Sequence, residues 1–422
     1  MDIIAALIFA LALIHTFAAK TFERLANHYP KHAGLLHFFG EVEVVFGLWA
    51  FVLIVAMAFV VSGNDAVKYA ESRHYTEPLF VFVVMVVAAS RPVLESVEAL
   101  VLLIAKIAPV QSAVAQVWLG LALVPLIGSL ITEPAAMTLA ALMLLPQIFH
   151  QGMPEKLKYL ALGVLFVNIS IGGTLTSFAA PPVLMVAATW QWDSTFMITH
   201  FGWKAAIAVI VNATFMTILL RKHIHIAGEG ADAQADADFA KAGLRKAPMV
   251  VKIIHLSFLA ATVAFAHHPV IFLGLFLLFL GFTQAYPQFQ SALVLKQGLL
   301  VGFFLAGLVV LGGMQQWWLQ PIVATLQPIA LFFAAIGLTA ITDNAALTYL
   351  GSTIEGMSDA AKYMLVAGAV AGGGLTVIAN APNPAGVALL KSGFEDESIG
   401  MAGLLLGAAI PTIVAAAAFL VL

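Results

Sequence analysis

The chain has 422 residues, of which 62% are hydrophobic and only 10% charged, with a mean hydropathy of +1.01. Soluble domains carry about 25% charged residues, so a soluble fold of this size could not cover its surface. A formal net charge of −3 argues against a nucleic-acid partner, and the absence of cysteine excludes disulfides, thiolate metal sites and thiol nucleophiles.

Apolar runs long enough to cross a bilayer predict an all-α polytopic membrane protein. The first, MDIIAALIFALALIHTFAAK, lacks a basic leader and reads as a membrane helix, not a cleaved signal. Spans are expected near 2–18, 38–62, 78–105, 112–131, 158–188, 201–220, 251–266, 269–285, 297–313, 319–340, 361–389 and 400–422. Glu41 and Glu43 stand at the head of the second. In the third, Arg91, Glu95 and Glu98 share one helix face. They form an ion pair between Arg91 and Glu95 or part of a proton route.

Glu133 closes an uncharged run from Ile107 to Thr132, in ITEPAAMT. A short segment near 132–149 follows, and then GGTLTSFAAPP at 172–182 inside the uncharged run Tyr159–Trp192. Glycines followed by prolines should break that helix near its middle. Residues 221–250 form a hydrophilic linker whose lysines and arginines favour the cytoplasmic side. His223 and His225 there are two metal-type ligands without a third, which is weak. Interface histidines are the simpler reading. Beyond it, Asp343 closes the uncharged run Gln297–Thr342, in ITDNAALT, and GGGLTVIANAP follows at 372–382.

These motifs recur in one order. ITEPAAMT matches ITDNAALT at five of eight positions, placing Glu133 opposite Asp343, and the Gly-Thr-Pro motifs match at six of eleven. Lys158-Tyr159 and Lys362-Tyr363 lie between the motifs in each copy. The chain therefore divides into halves 1–220 and 251–422. Each is expected to hold a hairpin (near 132–149 and 342–357) and a broken helix (158–188 and 361–389). Internal repeats of this kind point to a transporter with its site where the repeats meet. Chance matching of Ala/Gly-rich sequence is the bland alternative.

Breaking a helix in hydrocarbon is costly unless the break lines a polar cavity. Thr174, Thr176 and Ser177 in the first half, and Thr376, Asn380 and Asn383 in the second, offer oxygens of the kind hard cations take. Close helix packing on small residues competes with that reading. A carboxylate at membrane depth costs roughly 2.5–3.5 kcal/mol, so it is usually functional; at a surface loop it costs nothing. A carboxylate out of water favours its protonated form, and losing that proton to an arriving cation is the simplest exchange chemistry. Candidate cation and proton ligands are Asp343, Asn344, Thr342, Thr376, Asn380, Asn383, Glu133, Thr132 and Thr176. Asp343 and Asn380 are the foremost Na⁺ ligands. The oxygen-rich second half is expected to hold the principal site, with Glu133 a second site or structural partner.

ITDNAALTYL with GGGLTVIANAPN resembles the ion transporter superfamily, which includes arsenite pumps, NhaD-type sodium/proton antiporters and citrate and dicarboxylate carriers. The whole chain is most similar to the branch of putative Na⁺/H⁺ antiporters. The resemblance implies inverted repeats, re-entrant hairpins and a homodimer. Carboxylate carriers show Ser-Asn-Thr at their hairpin tips; Thr-Glu-Pro and Thr-Asp-Asn here favour a cation and proton site. Six provisional crossings separate Thr132 from Thr342, so one expected span should not cross if the repeats are inverted. The expected function is exchange of a monovalent cation (Na⁺, or Li⁺ or K⁺) for H⁺ in a bacterial inner membrane, among membrane lipids and without a cofactor. The alternative is ion-coupled transport of arsenite or an organic carboxylate. No HExxH, GxSxG or P-loop occurs, so neither an enzyme nor an ATP-driven pump is expected.

Overall fold

The computed structural model describes residues 1–150, 152–224 and 245–422. Among them there are helices and connecting turns and no strands. The linker core, with His225 and Lys241, lies outside the described residues.

The first helices are α1 (Asp2–His28), α2 (Ala33–Gly40), α3 (Val42–Val60) and the short amphipathic α4 (Gly63–Glu71). Next come α5 (Thr76–Ala88) and α6 (Arg91–Ile107), bent by 63°. Then α7 (Ser112–Leu121) and α8 (Leu123–Ile131) are bent by 45°. Proline explains both bends. Its ring clashes with the carbonyl four residues back, and Pro92 and Pro125 therefore end the preceding helices at Ala88 and Leu121.

A single residue, Thr132, turns α8 into α9 (Glu133–Leu144). Then α10 (Glu155–Gly172) stops at the Gly-Gly pair, and α11 (Pro181–Trp190) restarts at the Pro-Pro pair, where proline suits the first helical turn. The first half ends with α12 (Ser194–Met197) and α13 (Trp203–Leu220).

Beyond the linker lie α14 (Met249–Ala264), α15 (Pro269–Ala285), α16 (Leu295–Gly312) and α17 (Gln316–Val323). They lead to α18 (Pro328–Thr339), α19 (Asn344–Ser352), α20 (Asp359–Gly372), α21 (Asn383–Leu390) and α22 (Met401–Val421).

Among the described residues six helices are long and apolar enough to cross a bilayer, or eight if each bent pair is one span, against the twelve spans expected. The run 319–340 splits at Pro328 into α17 and α18, and 158–188 and 361–389 split at their glycines and prolines. The pieces α9, α11 and α18 are apolar but shorter than a bilayer is thick. The centre is α10, where 83% of the spanning window is buried; the figure for α1 is 28%. Exposed side chains such as Phe51, Phe59, Phe215 and Ile413 give the outer helices the apolar surface that lipid requires.

Short helices from either side of the linker pack on one another, α9 on α21 and α19 on α11. Between these pairs α10 meets α20, where the Ser170 hydroxyl donates to the Val370 carbonyl at 2.8 Å.

Candidate functional site

Both broken helices wrap around a hairpin in the same way. Thr176 Oγ1 donates to the Ser129 carbonyl at 2.6 Å, and Thr376 Oγ1 to the Ala340 carbonyl at 2.9 Å. A methyl on Gly172 would press on the Pro125 carbonyl, and one on Gly372 on the Ile336 carbonyl. Four residues past Ser129 is Glu133; four residues past Ala340 is Asn344. Accordingly, Glu133 lies on Gly173 and Asn344 lies on Gly373, each so close that a β-carbon on the glycine would collide.

The backbone therefore pairs Glu133 with Asn344 and Thr132 with Asp343, one residue away from the alignment that paired the two acids. Helix chemistry explains the shift. Asp is short enough to cap a helix, and Asp343 Oδ1 accepts from the Ala345 and Ala346 amides at 2.8 and 3.1 Å. Glu133 occupies the first helical position instead, after a tip at Thr132 with φ of 77°.

The two positions have different surroundings. Glu133 is wholly buried, and its Oε2 accepts from Asn380 Nδ2 at 2.8 Å across the half-to-half junction. Its Oε1 has no hydrogen-bond partner, nor do Asn380 Oδ1 and Thr132 Oγ1. Asn344 is also wholly buried, and neither its Oδ1 nor its Nδ2 has a partner. The residue matching Asn380 on that side is Ala180, which cannot supply one. Asn383, at the start of α21, spends its amide nitrogen on the Gly373 and Thr376 carbonyls at 2.8 and 2.9 Å and leaves Oδ1 without a partner.

Most of the expected ligands thus surround one junction, though unequally. Asp343 is half-buried and already engaged as a cap. Thr342 points its hydroxyl back to the Leu338 carbonyl at 2.8 Å. Thr176 and Thr376 bind hairpin to break. Ser129 was not singled out from sequence, yet its hydroxyl donates to the Gly172 carbonyl at 2.7 Å and accepts from the Leu175 amide at 2.9 Å. No motif marks it; only its place three residues before the tip could have.

Arg91 and Glu95 do form an ion pair, at 2.8 Å, and Lys252 approaches the other oxygen of Glu95 at 3.3 Å. With the Ala247 amide donating to Glu95 Oε2 at 3.2 Å, this cluster fastens α6 to α14. Glu98 sits one turn further along α6. Asn168 bridges helices, donating to the Leu121 carbonyl at 2.8 Å and accepting from Asn212 at 3.0 Å. Among the described residues no group of three His, Asp or Glu side chains is arranged to hold a metal.

The Lys-Tyr pairs grip opposite ends of α22. Tyr159 near the start of α10 accepts from the Gly400 amide at 2.9 Å, and Tyr363 near the start of α20 donates to the Phe419 carbonyl at 2.8 Å.

Compared with known families, the chain matches the one described as "Putative Na+/H+ antiporter" over residues 1–422, its whole length. No curated protein matches it.

Proposed function

The chain belongs to the putative Na⁺/H⁺ antiporter family, and on that premise we propose that it exchanges Na⁺ for H⁺ at Glu133. The observation that carries this reading is the Glu133 carboxylate, wholly buried, with one oxygen held by Asn380 and the other without a partner. An ionised carboxylate cannot stay in such a place uncompensated. It needs a proton on Oε1 or a cation against it. The two exclude each other, so arrival of Na⁺ releases H⁺ and the reverse. The carbonyl oxygens of the Asn380 and Asn383 side chains, with Thr132 Oγ1, are the neutral oxygens a hard monovalent cation takes.

This reading moves the principal acid from Asp343 to Glu133. Asp343 keeps its place as cap of α19 and as a second negative charge near the first. The grip of Tyr159 on the start of α22 and of Tyr363 on its end supports inverted halves, since α10 and α20 then enter from opposite ends. The hairpins α8–α9 and α18–α19 would accordingly be re-entrant, each with its tip at the junction.

Purified protein in liposomes with an imposed pH gradient and an internal pH dye provides the test. Addition of Na⁺ should collapse the gradient, and Li⁺, K⁺ and Ca²⁺ added separately give the selectivity. Glu133→Gln should abolish the response. A response to no cation from folded protein would discard the reading and favour an anion as the cargo.

A further inference from the structure

Four short helices start at the junction and run outward: α9 from Glu133, α21 from Asn383, α11 from Pro181 and α19 from Asn344. They leave in two pairs; one pair ends at a cavity, and a second cavity is lined by the segments that follow the other pair, from Gly152 and from Ser392. One cavity, of about 440 Å³, lies where α11 and α19 finish, between Thr189, Ser352 and Thr353 and the Arg73–Glu77 segment. The other, of about 540 Å³, lies beyond α9 and α21, between Pro154, Glu155 and Lys158 on one wall and Gly393 and Glu395 on the other.

The walls of the second cavity are sewn together. Lys158, near the start of α10, is buried, and its ammonium donates to Glu155 Oε1 at 2.8 Å and to the Gly393 carbonyl at 2.5 Å. Glu155 Oε1 also accepts from the Glu395 amide at 3.1 Å. The Phe394 ring lies 5.7 Å from the ammonium, and Gly393 presses so closely on the Phe149 carbonyl that a side chain there would clash. In the other half, the equivalent lysine closes nothing. Among the described residues Lys362 pairs along its own helix, with the fully exposed Asp359 at 3.0 Å.

We propose that Lys158 is a latch that closes the path between α9 and α21, so that the ammonium must leave the Gly393 carbonyl before that path opens to the transported cation. The proposal rests on the exchange reading for what passes. The latch itself is defined by geometry. Glu155 and the Gly393 carbonyl are oxygens that a passing cation would also favour, so the departing ammonium and the arriving ion exchange ligands of one kind. A buried lysine with an anionic and a neutral oxygen partner is held by charge-assisted bonds.

The chain has no cysteine, so one introduced thiol reports alone. Met137, wholly buried on α9, faces α21, where a methyl on Gly386 would come within 2.7 Å of its sulfur. Met137→Cys should react slowly with a maleimide in detergent-purified protein. Lys158→Met should raise that rate about tenfold, the scale of losing a hydrogen bond to a charged group. A control thiol at Thr348→Cys, buried on α19 in the other pair, should keep its rate, and Lys158→Arg should leave both rates unchanged. Should Lys158→Met not fold, Glu155→Gln weakens the same tie. An unchanged Met137→Cys rate, or an equal rise at both thiols, overturns the latch. The labelling assumes no particular ion, so a failed antiport assay with an intact latch response would reject only the choice of cargo.

Discussion

The surroundings of Glu133 and of Asn344 are the same piece of backbone built twice. In each, a hairpin helix starts against a glycine of a broken helix, and a threonine of the break is bonded to a hairpin carbonyl. The first copy has an acid with an amide donor opposite. The second has an amide with alanine opposite and no partner at all. The comparison teaches that one backbone arrangement can seat an acid at one position and an uncharged amide at the matching one. On the exchange reading proposed above, the proton is therefore carried at the first copy, and the second offers only a neutral amide.

The largest test of that asymmetry is Glu133→Gln. It keeps the shape and the Asn380 contact and removes the charge, and cation-driven proton movement should fall by at least about a hundredfold, within the range of losing an essential proton-transfer group. Wild-type exchange from a folded variant would place the acid elsewhere.

Asn344→Asp forces the second copy to resemble the first. An uncompensated buried charge costs about 3–5 kcal/mol, so the melting temperature should drop sharply. High Na⁺ should restore part of it, because a ligand bound only by the folded state stabilises that state. A variant as stable as the parent without Na⁺ would mean that this pocket is not dry.

Asn380→Ala takes the donor from Glu133 Oε2. Hydrogen bonds to charged groups are worth about 1.5–3 kcal/mol, so the cation KM should rise about tenfold or more while the gradient still collapses at high Na⁺. An unaltered KM would remove Asn380 from the cation shell.

Asp343→Asn should do least. Asn caps helices about as well as Asp, so stability should shift by a few tenths of a kcal/mol, and exchange should slow without disappearing. If Asp343→Asn abolishes exchange and Glu133→Gln does not, the two copies have the reverse roles.

Much of this was legible in the sequence. Helix breaks follow from Gly-Gly and Pro-Pro inside runs too long for one span, and motif order is what suggests a repeat. The carboxylates betrayed themselves by interrupting long uncharged stretches. The register was not legible. Identity favours placing Glu133 opposite Asp343, since both follow Ile-Thr, and only backbone contacts such as Thr176 with Ser129 and Thr376 with Ala340 count the turn correctly. Side-chain length decided the matter: a short acid serves the helix end and a longer one enters the helix. The latch was half legible, as a repeated Lys-Tyr pair whose two lysines look alike in sequence. Their difference arises because a distant segment, 392–397, folds over only one of them.

One feature of the junction has an electrostatic outcome of its own. The four short helices all begin there, and a helix start carries about half a positive elementary charge. Left alone, that assembly would attract anions, as helix starts elsewhere hold phosphate. Two carboxylates, Glu133 and Asp343, about balance it. On the exchange reading, the sign of the ion accepted is thus set by two side chains laid over a scaffold of the opposite preference. A protein of this fold without those acids would have a centre suited to carrying a negative cargo, with every helix unmoved.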